Sequence, residues 1–233
     1  MPTTTHVFDA VLFDMDGTLI DSTAGVIGAW KIFEKDYPGI DVHDILSSSH
    51  GVRTVESLRK YCGLTDPDEI EREAERFEHL IVTTSSEGGR QGIVLLPGVK
   101  EIIGNLGPHV GRRWTVCTSA TRSYATAALE IVGIDRSESF VYAEDVTKGK
   151  PQPDPYLLGA SRLGVDPTKC LVVEDAPVGV RSGHAAGCKT LGVVTSHSRE
   201  VMEAVNPTFL VDKLDSVTMT VTDAGVEVTI TTP

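Results

Sequence analysis

The stretch Phe13-Asp14-Met15-Asp16-Gly17-Thr18-Leu19 decides how the rest of the chain is interpreted. An apolar run from Val7 to Phe13 stops at two acids one residue apart, and a glycine follows them. In a parallel sheet, ligands bind at the carboxyl ends of the strands. Two carboxylates crowded there repel each other and are costly to bury, unless a cation or proton-transfer chemistry uses them. Taken alone, the stretch is also consistent with an acidic turn that contains a glycine.

Composition and charge restrict the class of protein. The 233 residues, 40% of them hydrophobic, are enough for one large core or a core with a small second domain. No apolar run approaches the roughly 20 residues of a membrane span, and the start MPTTTH lacks the features of a signal peptide. The net charge of −12 disfavours nucleic acid and anionic membranes as partners. We therefore expect a soluble monomer that binds a small molecule.

Cysteine usage indicates the compartment. The four cysteines are far apart and form no CxxC pair: Cys62, Cys117, Cys170 and Cys188. Free thiols in a reducing environment are expected from this pattern, which predicts a cytoplasmic protein.

Short apolar runs alternate with helical segments over most of the chain, which predicts βαβ units and a parallel sheet. Because the runs are apolar without interruption, both faces of the sheet should be covered. The predicted strands lie at 7–13, 114–118, 140–143, 170–174, 190–194 and 209–211. Near the end, two alternating runs around Asp223-Ala224-Gly225 predict a β-hairpin at about 217–231 with a three-residue turn. The fold class is therefore α/β, a parallel sheet with a C-terminal hairpin.

The region 22–94 has a different character and reads as a helical insert. Its clearest helix begins at Asp66, which can cap the first turn, and Pro67 suits the first helical position. A polar, glycine-rich stretch from Ser85 to Gly92 follows and suits a linker. The predicted division is a core of residues 1–21 and 95–233 and a helical domain of residues 22–94.

Polar groups follow several of the predicted strands. Asp14 and Asp16 follow the first, Thr118-Ser119 the second, and Glu174-Asp175 end a later one, while a loop carries Lys150. These ends share one edge of a parallel sheet, so the groups should converge on one crevice. The carboxylates suit Mg²⁺, which prefers oxygen ligands, and a carboxylate can attack phosphorus as a nucleophile. Lysine and hydroxyl donors would hold phosphoryl oxygens, and a second acid could protonate the leaving alkoxide and then activate water.

Four stretches, in order, resemble the motifs of the haloacid dehalogenase superfamily: Asp14-Met15-Asp16-Gly17-Thr18, Thr118-Ser119, Gly149-Lys150-Pro151 and Glu174-Asp175-Ala176-Pro177-Val178-Gly179. The resemblance extends over nearly the whole chain. It implies a Rossmann-like core and, as in the phosphatases of the family, a Mg²⁺-assisted reaction through an aspartyl-phosphate. Dehalogenases of the superfamily generally lack the second acid, so Asp16 favours a phosphatase.

Carried over position by position, the resemblance assigns a role to each residue. Two acids perform the chemistry, with Asp14 as nucleophile and Asp16 as general acid and base. Three residues bind the phosphate: Thr118, Ser119 and Lys150. Four residues form the Mg²⁺ site, with Glu174 binding directly or through water: Asp14, Asp16 through its backbone carbonyl, Glu174 and Asp175.

Longer stretches are similar to fungal glycerol-phosphate phosphatases and 2-deoxyglucose-6-phosphate phosphatases. They are Ser49-His50-Gly51-Val52-Arg53-Thr54, Thr118-Ser119-Ala120-Thr121-Arg122, and Glu174-Asp175-Ala176-Pro177 with the downstream Ala185-Ala186-Gly187-Cys188-Lys189. Ala120 departs from the glycine that is common in those enzymes. In that family the helical insert is a cap that closes over the substrate, which places Arg53 on a substrate-specificity loop. The expected substrate is a small phosphorylated polyol or sugar, of the glycerol phosphate or 2-deoxyglucose 6-phosphate type.

Two other functions share part of this pattern. A sugar-phosphate mutase resembling β-phosphoglucomutase has the same core and cap, but its cap histidine has no counterpart in Ala24-Gly25-Val26-Ile27-Gly28. A phosphoacceptor module that does not turn over also gathers acids, a hydroxyl and a lysine around Mg²⁺. Asp16 and the insert favour the hydrolase, and a catalytically inactive binding protein is disfavoured because every expected polar group is present.

Overall fold

The computed structural model describes residues 3–48 and 50–231 and has the α/β fold expected from the sequence. Its strands are β1 (Thr3–Phe8), β2 (Ala10–Phe13), β3 (Ile20–Asp21), β4 (Val94–Leu95), β5 (Trp114–Val116), β6 (Cys170–Glu174), β7 (Lys189–Val193), β8 (Phe209–Val211), β9 (Val217–Thr222) and β10 (Gly225–Thr231). Its helices are α1 (Thr23–Asp36), α2 (Val42–Ser48), α3 (Thr54–Cys62), α4 (Pro67–Ser85), α5 (Val99–Leu106), α6 (Arg122–Ile131), α7 (Asp154–Leu163), α8 (Pro177–Ala185) and α9 (Arg199–Glu203). Ser49, which begins one of the family-like stretches, lies outside the described residues.

A parallel sheet forms the centre of the molecule. Within the described ranges it has five strands in the order β5-β2-β6-β7-β8. Alternate residues of β2 enter two different apolar clusters: Val11 and Phe13 pack on one face, and Ala10 and Leu12 on the other, against α7. Both faces are therefore covered, which explains why the strand sequences are apolar without interruption.

The first apolar run belongs to two different sheets, which corrects the prediction of one strand at 7–13. β1 pairs antiparallel with β10, whereas β2 is in the parallel sheet. The chain changes partner at Asp9, whose N–H donates to the Lys169 carbonyl at 2.9 Å. The apolar run continues across this switch because Phe8 and Ala10, on either side of Asp9, are both buried.

The strand predicted at 140–143 is reduced to one bridge beside β5. Val141 pairs with Cys117, and its N–H donates to the Val116 carbonyl at 2.8 Å. The Asp145 carboxylate then accepts a hydrogen bond from the Tyr142 N–H at 3.0 Å, and the chain turns away. The prediction of a full strand is wrong because this local turn ends the pairing after a single residue.

The C-terminal hairpin is confirmed, with a shorter turn than expected. Gly225 already pairs with Thr222, so the turn consists of Asp223 and Ala224. β1 adds a third strand to the hairpin, and the inner face of this small sheet packs over α5. Its buried side chains include Met219 and Val228, which join the larger apolar cluster.

Helices α1 to α4 lie between β3 and β4, which pair antiparallel where the chain leaves the sheet and returns. α1 packs on α4 through aromatic contacts, with the Trp30 and Phe77 ring centroids 4.5 Å apart. Asp66 caps α4 by accepting a hydrogen bond from the Glu69 N–H at 2.9 Å, as its sequence predicts. The helical character of 22–94 is thus observed, and its role as a separate domain stays a prediction.

The state of the cysteines and the character of the helices can be compared with the sequence. The four cysteines are free thiols, as expected. Among the described residues, no helix combines the length and the apolar composition that a bilayer crossing needs.

Candidate active site

The ends of three neighbouring strands bring the predicted site residues together. Asp14 follows β2, Thr118 lies just beyond β5, and Glu174 and Asp175 are at the end of β6. All four are buried, with 3% or less of their surface exposed. β2 lies between β5 and β6, so residues more than 150 positions apart in sequence meet at one edge of the sheet.

Lys150 reaches this edge from the loop before α7. Its Nζ lies 2.5 Å from Asp14 Oδ1 and 2.7 Å from Glu174 Oε1, and its side chain is fully buried. Burial alone would lower the pKa of the ammonium, but the two carboxylates outweigh it and raise the pKa above its ordinary value. Tyr156 donates a further hydrogen bond to Glu174 Oε1 at 2.7 Å. Lys150 is therefore a fixed positive charge beside Asp14.

The acids at this edge have the composition of a cation site. Asp14, Glu174 and Asp175 each place one carboxylate oxygen within 4.8 Å of the others. Burial raises the pKa of Asp14 well above its usual value and that of Asp175 to about 7, and the neighbouring acids add to both shifts. One ammonium does not offset three carboxylates, so a divalent cation would relieve the excess negative charge.

A second observation supports the fit of a cation. Among the side chains in the described residues, Asp175 Oδ2 is a buried acceptor without a hydrogen-bond partner, although Thr18 donates to Oδ1 at 3.2 Å. Gly17 borders this oxygen at φ +83°, and a Cβ there would collide with the carboxylate. Glycine is thus required at this position by both backbone conformation and space. The oxygen-rich donor set suits Mg²⁺.

Asp16 has different surroundings from Asp14. Its Oδ1 accepts hydrogen bonds from Ser22 Oγ at 2.5 Å and Tyr124 Oη at 2.7 Å. Burial raises the pKa of Asp16, and these two hydrogen bonds oppose the shift. Ser22 and Tyr124 could not be identified from the sequence, since a tyrosine at helical spacing is typical of a core residue.

The predicted phosphate-binding hydroxyls are placed differently from each other. Thr118 borders the cavity above Asp14, and its Oγ1 accepts a hydrogen bond from the Ala120 N–H at 3.1 Å. Ser119 also borders the cavity, but its hydroxyl donates to the Gly51 carbonyl at 2.8 Å. This bond joins the core to the loop between α2 and α3.

Arg53 is not brought to the acid cluster. Its guanidinium forms an ion pair with Glu56, 2.6 Å away, and Nη1 donates to the Thr147 carbonyl at 3.4 Å. It lies between the helical segment and the loop that carries Lys150, and it does not border the cavity in the described part of the chain.

The cavity itself lies between the strand ends and the helices, and its volume is about 110 Å³. Val26, Trp30, Phe77 and Ile81 supply apolar surface, and Glu78 supplies a buried carboxyl. Burial raises the pKa of Glu78 to about 7, against three hydrogen bonds that favour its ionised form. Glu78 could not be identified from the sequence, because it is one of many charged residues on α4.

Comparison with known proteins places this geometry in a family. The model of the family described as haloacid dehalogenase-like hydrolase matches residues 8–187. Hexitol phosphatase A of Escherichia coli (strain K12) is 41% identical over 182 residues, covering 78% of this chain and 81% of that protein. Glycerol-1-phosphate phosphohydrolase 1 of Saccharomyces cerevisiae is 34% identical over 228 residues, covering 93% of this chain and 88% of that protein.

A solved structure agrees in fold. A hydrolase from Pseudomonas syringae has a TM-score of 0.76 and 24% identity, over 89% of this chain and 94% of that chain. The class defined by the fold and the site is therefore a hydrolase with a parallel α/β core and acids at its strand ends. The chain belongs to the haloacid dehalogenase-like hydrolase family, and the resemblance stated from its motifs is confirmed.

Proposed function

We propose that the protein is a Mg²⁺-dependent phosphatase that hydrolyses a small phosphorylated polyol or sugar, of the glycerol phosphate or 2-deoxyglucose 6-phosphate type. The observation that carries this proposal is the meeting of Asp14, Lys150 and Asp175 at the end of adjacent strands, with Asp16 beside them. The names of the similar proteins, a hexitol phosphatase and a glycerol-1-phosphate phosphohydrolase, support the same substrate class.

Asp14 and Asp16 have separate roles in the proposed reaction. Asp14 attacks phosphorus and forms an aspartyl-phosphate, while the bond from phosphorus to the alcohol oxygen breaks. Asp16 gives its proton to the departing alkoxide and then takes one from the water that hydrolyses the aspartyl-phosphate. Its raised pKa, which burial causes, favours the protonated form that the first step needs. Ser22 and Tyr124 orient the Asp16 carboxyl.

The remaining site residues bind the phosphoryl group and the cation. Lys150, Thr118 and Ser119 are assigned to the phosphoryl oxygens, where fixed donors stabilise the charge of the transition state. Mg²⁺ would be held by Asp14, the Asp16 backbone carbonyl, Asp175 and Glu174. When bound, it supplies positive charge that offsets repulsion between Asp14 and the phosphate.

The helices of residues 22–94 are assigned to a cap over the cavity, with residues 1–21 and 95–233 as the core. Trp30, Phe77 and Glu78 border the cavity from the helical side, and the bond from Ser119 to Gly51 joins the two sides. Such a cap excludes water during phosphoryl transfer and opens for product release. Arg53 lies between the helical segment and the loop that carries Lys150. Its contact with the Thr147 carbonyl supports its assignment to the substrate-specificity loop.

The net charge and the free thiols support a compartment, an oligomeric state and a class of partner for the proposed phosphatase. A net charge of −12 and free thiols support a cytoplasmic monomer that acts on a small phosphorylated metabolite, without nucleic acid or a membrane as partner.

A mutase is the second candidate, and the cavity disfavours it. A mutase that moves a phosphoryl group between two positions of one sugar must hold two phosphate groups. No lysine or arginine of the described residues borders the cavity opposite Asp14. Segment 24–28 also lacks the cap histidine of the mutases that this chain resembles.

The first test is phosphate release from a panel of phosphomonoesters, with and without Mg²⁺. The wild-type protein should release phosphate when Mg²⁺ is present and lose this activity in EDTA. Asp14→Asn should lower kcat by at least about 10³-fold, because it removes the nucleophile. The matched control is Asp9→Asn, at the opposite end of β2, where the side chain is 38% exposed.

The control should keep wild-type activity, and Asp14→Asn should keep the wild-type circular dichroism spectrum. Full activity in Asp14→Asn would contradict the mechanism. Conversion of glucose 1-phosphate to glucose 6-phosphate without free phosphate would favour the mutase.

A further inference from the structure

Glu78 is a buried carboxyl in the cavity wall that the proposed chemistry does not use. It is 3% exposed and lies on α4, beside apolar wall residues such as Phe77 and Ile81. A carboxyl in such surroundings costs free energy unless polar partners satisfy it. The partners of Glu78 therefore indicate what it is placed to do.

Three hydrogen bonds fix the orientation of the Glu78 carboxyl. Oε1 accepts from Thr54 Oγ1 at 2.7 Å and from the Thr121 N–H at 3.4 Å, and Oε2 accepts from the Thr121 hydroxyl. Thr54 is the first residue of α3 and Thr121 is the N-cap of α6, so the carboxyl is held from two sides. A carboxylate has about four acceptor positions. The donors found among the described residues leave one of them unused, on Oε2, and Glu78 borders the cavity.

The charges around the cavity also discriminate between substrates. Asp16 and Glu78 both border it, and no lysine or arginine does so in the described part of the chain. Arg53, on the helical side, is paired with Glu56. A substrate tail with a carboxylate or a second phosphate would meet the ionised Glu78 carboxylate without a compensating lysine or arginine. A neutral hydroxyl instead donates a hydrogen bond to Glu78.

We propose that Glu78 is a specificity-determining residue that selects phosphomonoesters with neutral hydroxylated tails over those with a carboxylate or a second phosphate. This inference rests on the proposed phosphatase activity and names the substrate class of the same cavity. The phosphoryl group binds at the strand ends, and the rest of the molecule lies against α4. The cavity volume of about 110 Å³ suits a short tail.

The wild-type protein provides the first part of the test. Phosphate release is measured at about pH 8.5, where Glu78, with a pKa raised to about 7, is ionised. The substrates are glycerol 1-phosphate, which has a neutral diol tail, and 2-phosphoglycolate, which has a carboxylate tail. The value of kcat/KM should be at least about tenfold higher for glycerol 1-phosphate, the size of one charge-assisted hydrogen bond. Equal values, or a preference for phosphoglycolate, would overturn the proposal without any variant.

Variants of Glu78 provide the second part. Glu78→Gln keeps the size of the side chain and removes its charge, so the ratio of the two kcat/KM values should fall about tenfold. The change should occur in KM, with kcat for glycerol 1-phosphate retained. Glu78→Met removes the acceptor as well and should raise KM for glycerol 1-phosphate. The matched control is Glu75→Gln, an exposed position on the same helix, which should leave the ratio unchanged.

The outcomes separate this inference from the proposed function. An unchanged ratio in a folded Glu78→Gln protein overturns the role of Glu78 and leaves the phosphatase intact. If the wild-type protein releases phosphate from no phosphomonoester in the presence of Mg²⁺, the proposed function fails. If neither Glu78 variant folds, the wild-type preference alone decides.

Discussion

Asp14 and Asp16 are one residue apart, yet their side chains have different partners. Asp14 contacts the Lys150 ammonium, whereas Asp16 accepts hydrogen bonds from two hydroxyls. Burial raises the pKa of both carboxyls. Asp14 has the positive neighbour that a nucleophilic carboxylate needs, and Asp16 has none in direct contact among the described residues. Pairs of acids in contrasting environments commonly divide into two roles, and this pair supports nucleophile and proton donor.

The pKa of Glu78 gives a prediction for stability at the residue scale. Burial raises it from 4.5 to about 7, so the folded protein binds a proton that the unfolded chain has lost between these values. Stability of the wild-type protein therefore falls over this pH window, relative to Glu78→Gln, which cannot ionise. The difference in unfolding free energy between the two proteins should change by about 3 kcal/mol between about pH 4.5 and about pH 8.

Urea unfolding of both proteins across this range measures the effect. Glu75→Gln, exposed on the same helix, should follow the wild-type curve. A wild-type protein that becomes more stable than Glu78→Gln as the pH rises would show that the ionised carboxyl is the form stabilised by folding.

At the scale of elements, the site depends on the order of the strands. β5, β2 and β6 are neighbours, and polar residues of the site lie at or just beyond the carboxyl end of each. Asp14 and Asp175 could be predicted from the sequence because each follows an apolar strand, where a carboxyl has no role in packing. Ser22 and Tyr124 could not be predicted in this way. They lie at the start of α1 and in α6, where a serine cap and a core tyrosine are ordinary features.

We expect the N-cap of α4 to contribute to the stability of the protein and not to its activity. Asp66 accepts a hydrogen bond from the Glu69 N–H, and its side chain is exposed, away from the cavity. Asp66→Ala should lower the free energy of unfolding by about 1 kcal/mol, because the first turn loses its acceptor. The conservative variant Asp66→Asn keeps an acceptor and should retain most of this free energy.

Both Asp66 variants should keep the wild-type kcat/KM for glycerol 1-phosphate. Denaturant midpoints and steady-state rates measure the two effects separately. Equal stability of Asp66→Ala and the wild-type protein would show that the cap is not needed.

At the scale of the whole molecule, the parallel core could be predicted because its strands are apolar on both faces. The split of the first run at Asp9 could not, since apolar residues stand on both sides of this single acid. The single bridge at Val141 could not be predicted either, because an apolar run does not reveal how many of its residues pair with a neighbouring strand. The role of Glu78 in the cavity wall could not be predicted for a related reason. Its burial depends on how α4 packs against α6, which is a long-range contact.

Trapping the phosphorylated enzyme identifies the nucleophile, which we propose is Asp14. The wild-type protein, Asp14→Asn and Asp16→Asn are quenched in acid during turnover of p-nitrophenyl phosphate with Mg²⁺, and their peptides are examined by mass spectrometry. This substrate has a leaving group that needs little help from an acid, so Asp16→Asn should form the aspartyl-phosphate and hydrolyse it slowly.

We predict a phosphoryl group on Asp14, most abundant in Asp16→Asn and absent from Asp14→Asn. A phosphoryl group on another residue, or turnover by Asp14→Asn at the wild-type rate, would show that Asp14 is not the nucleophile.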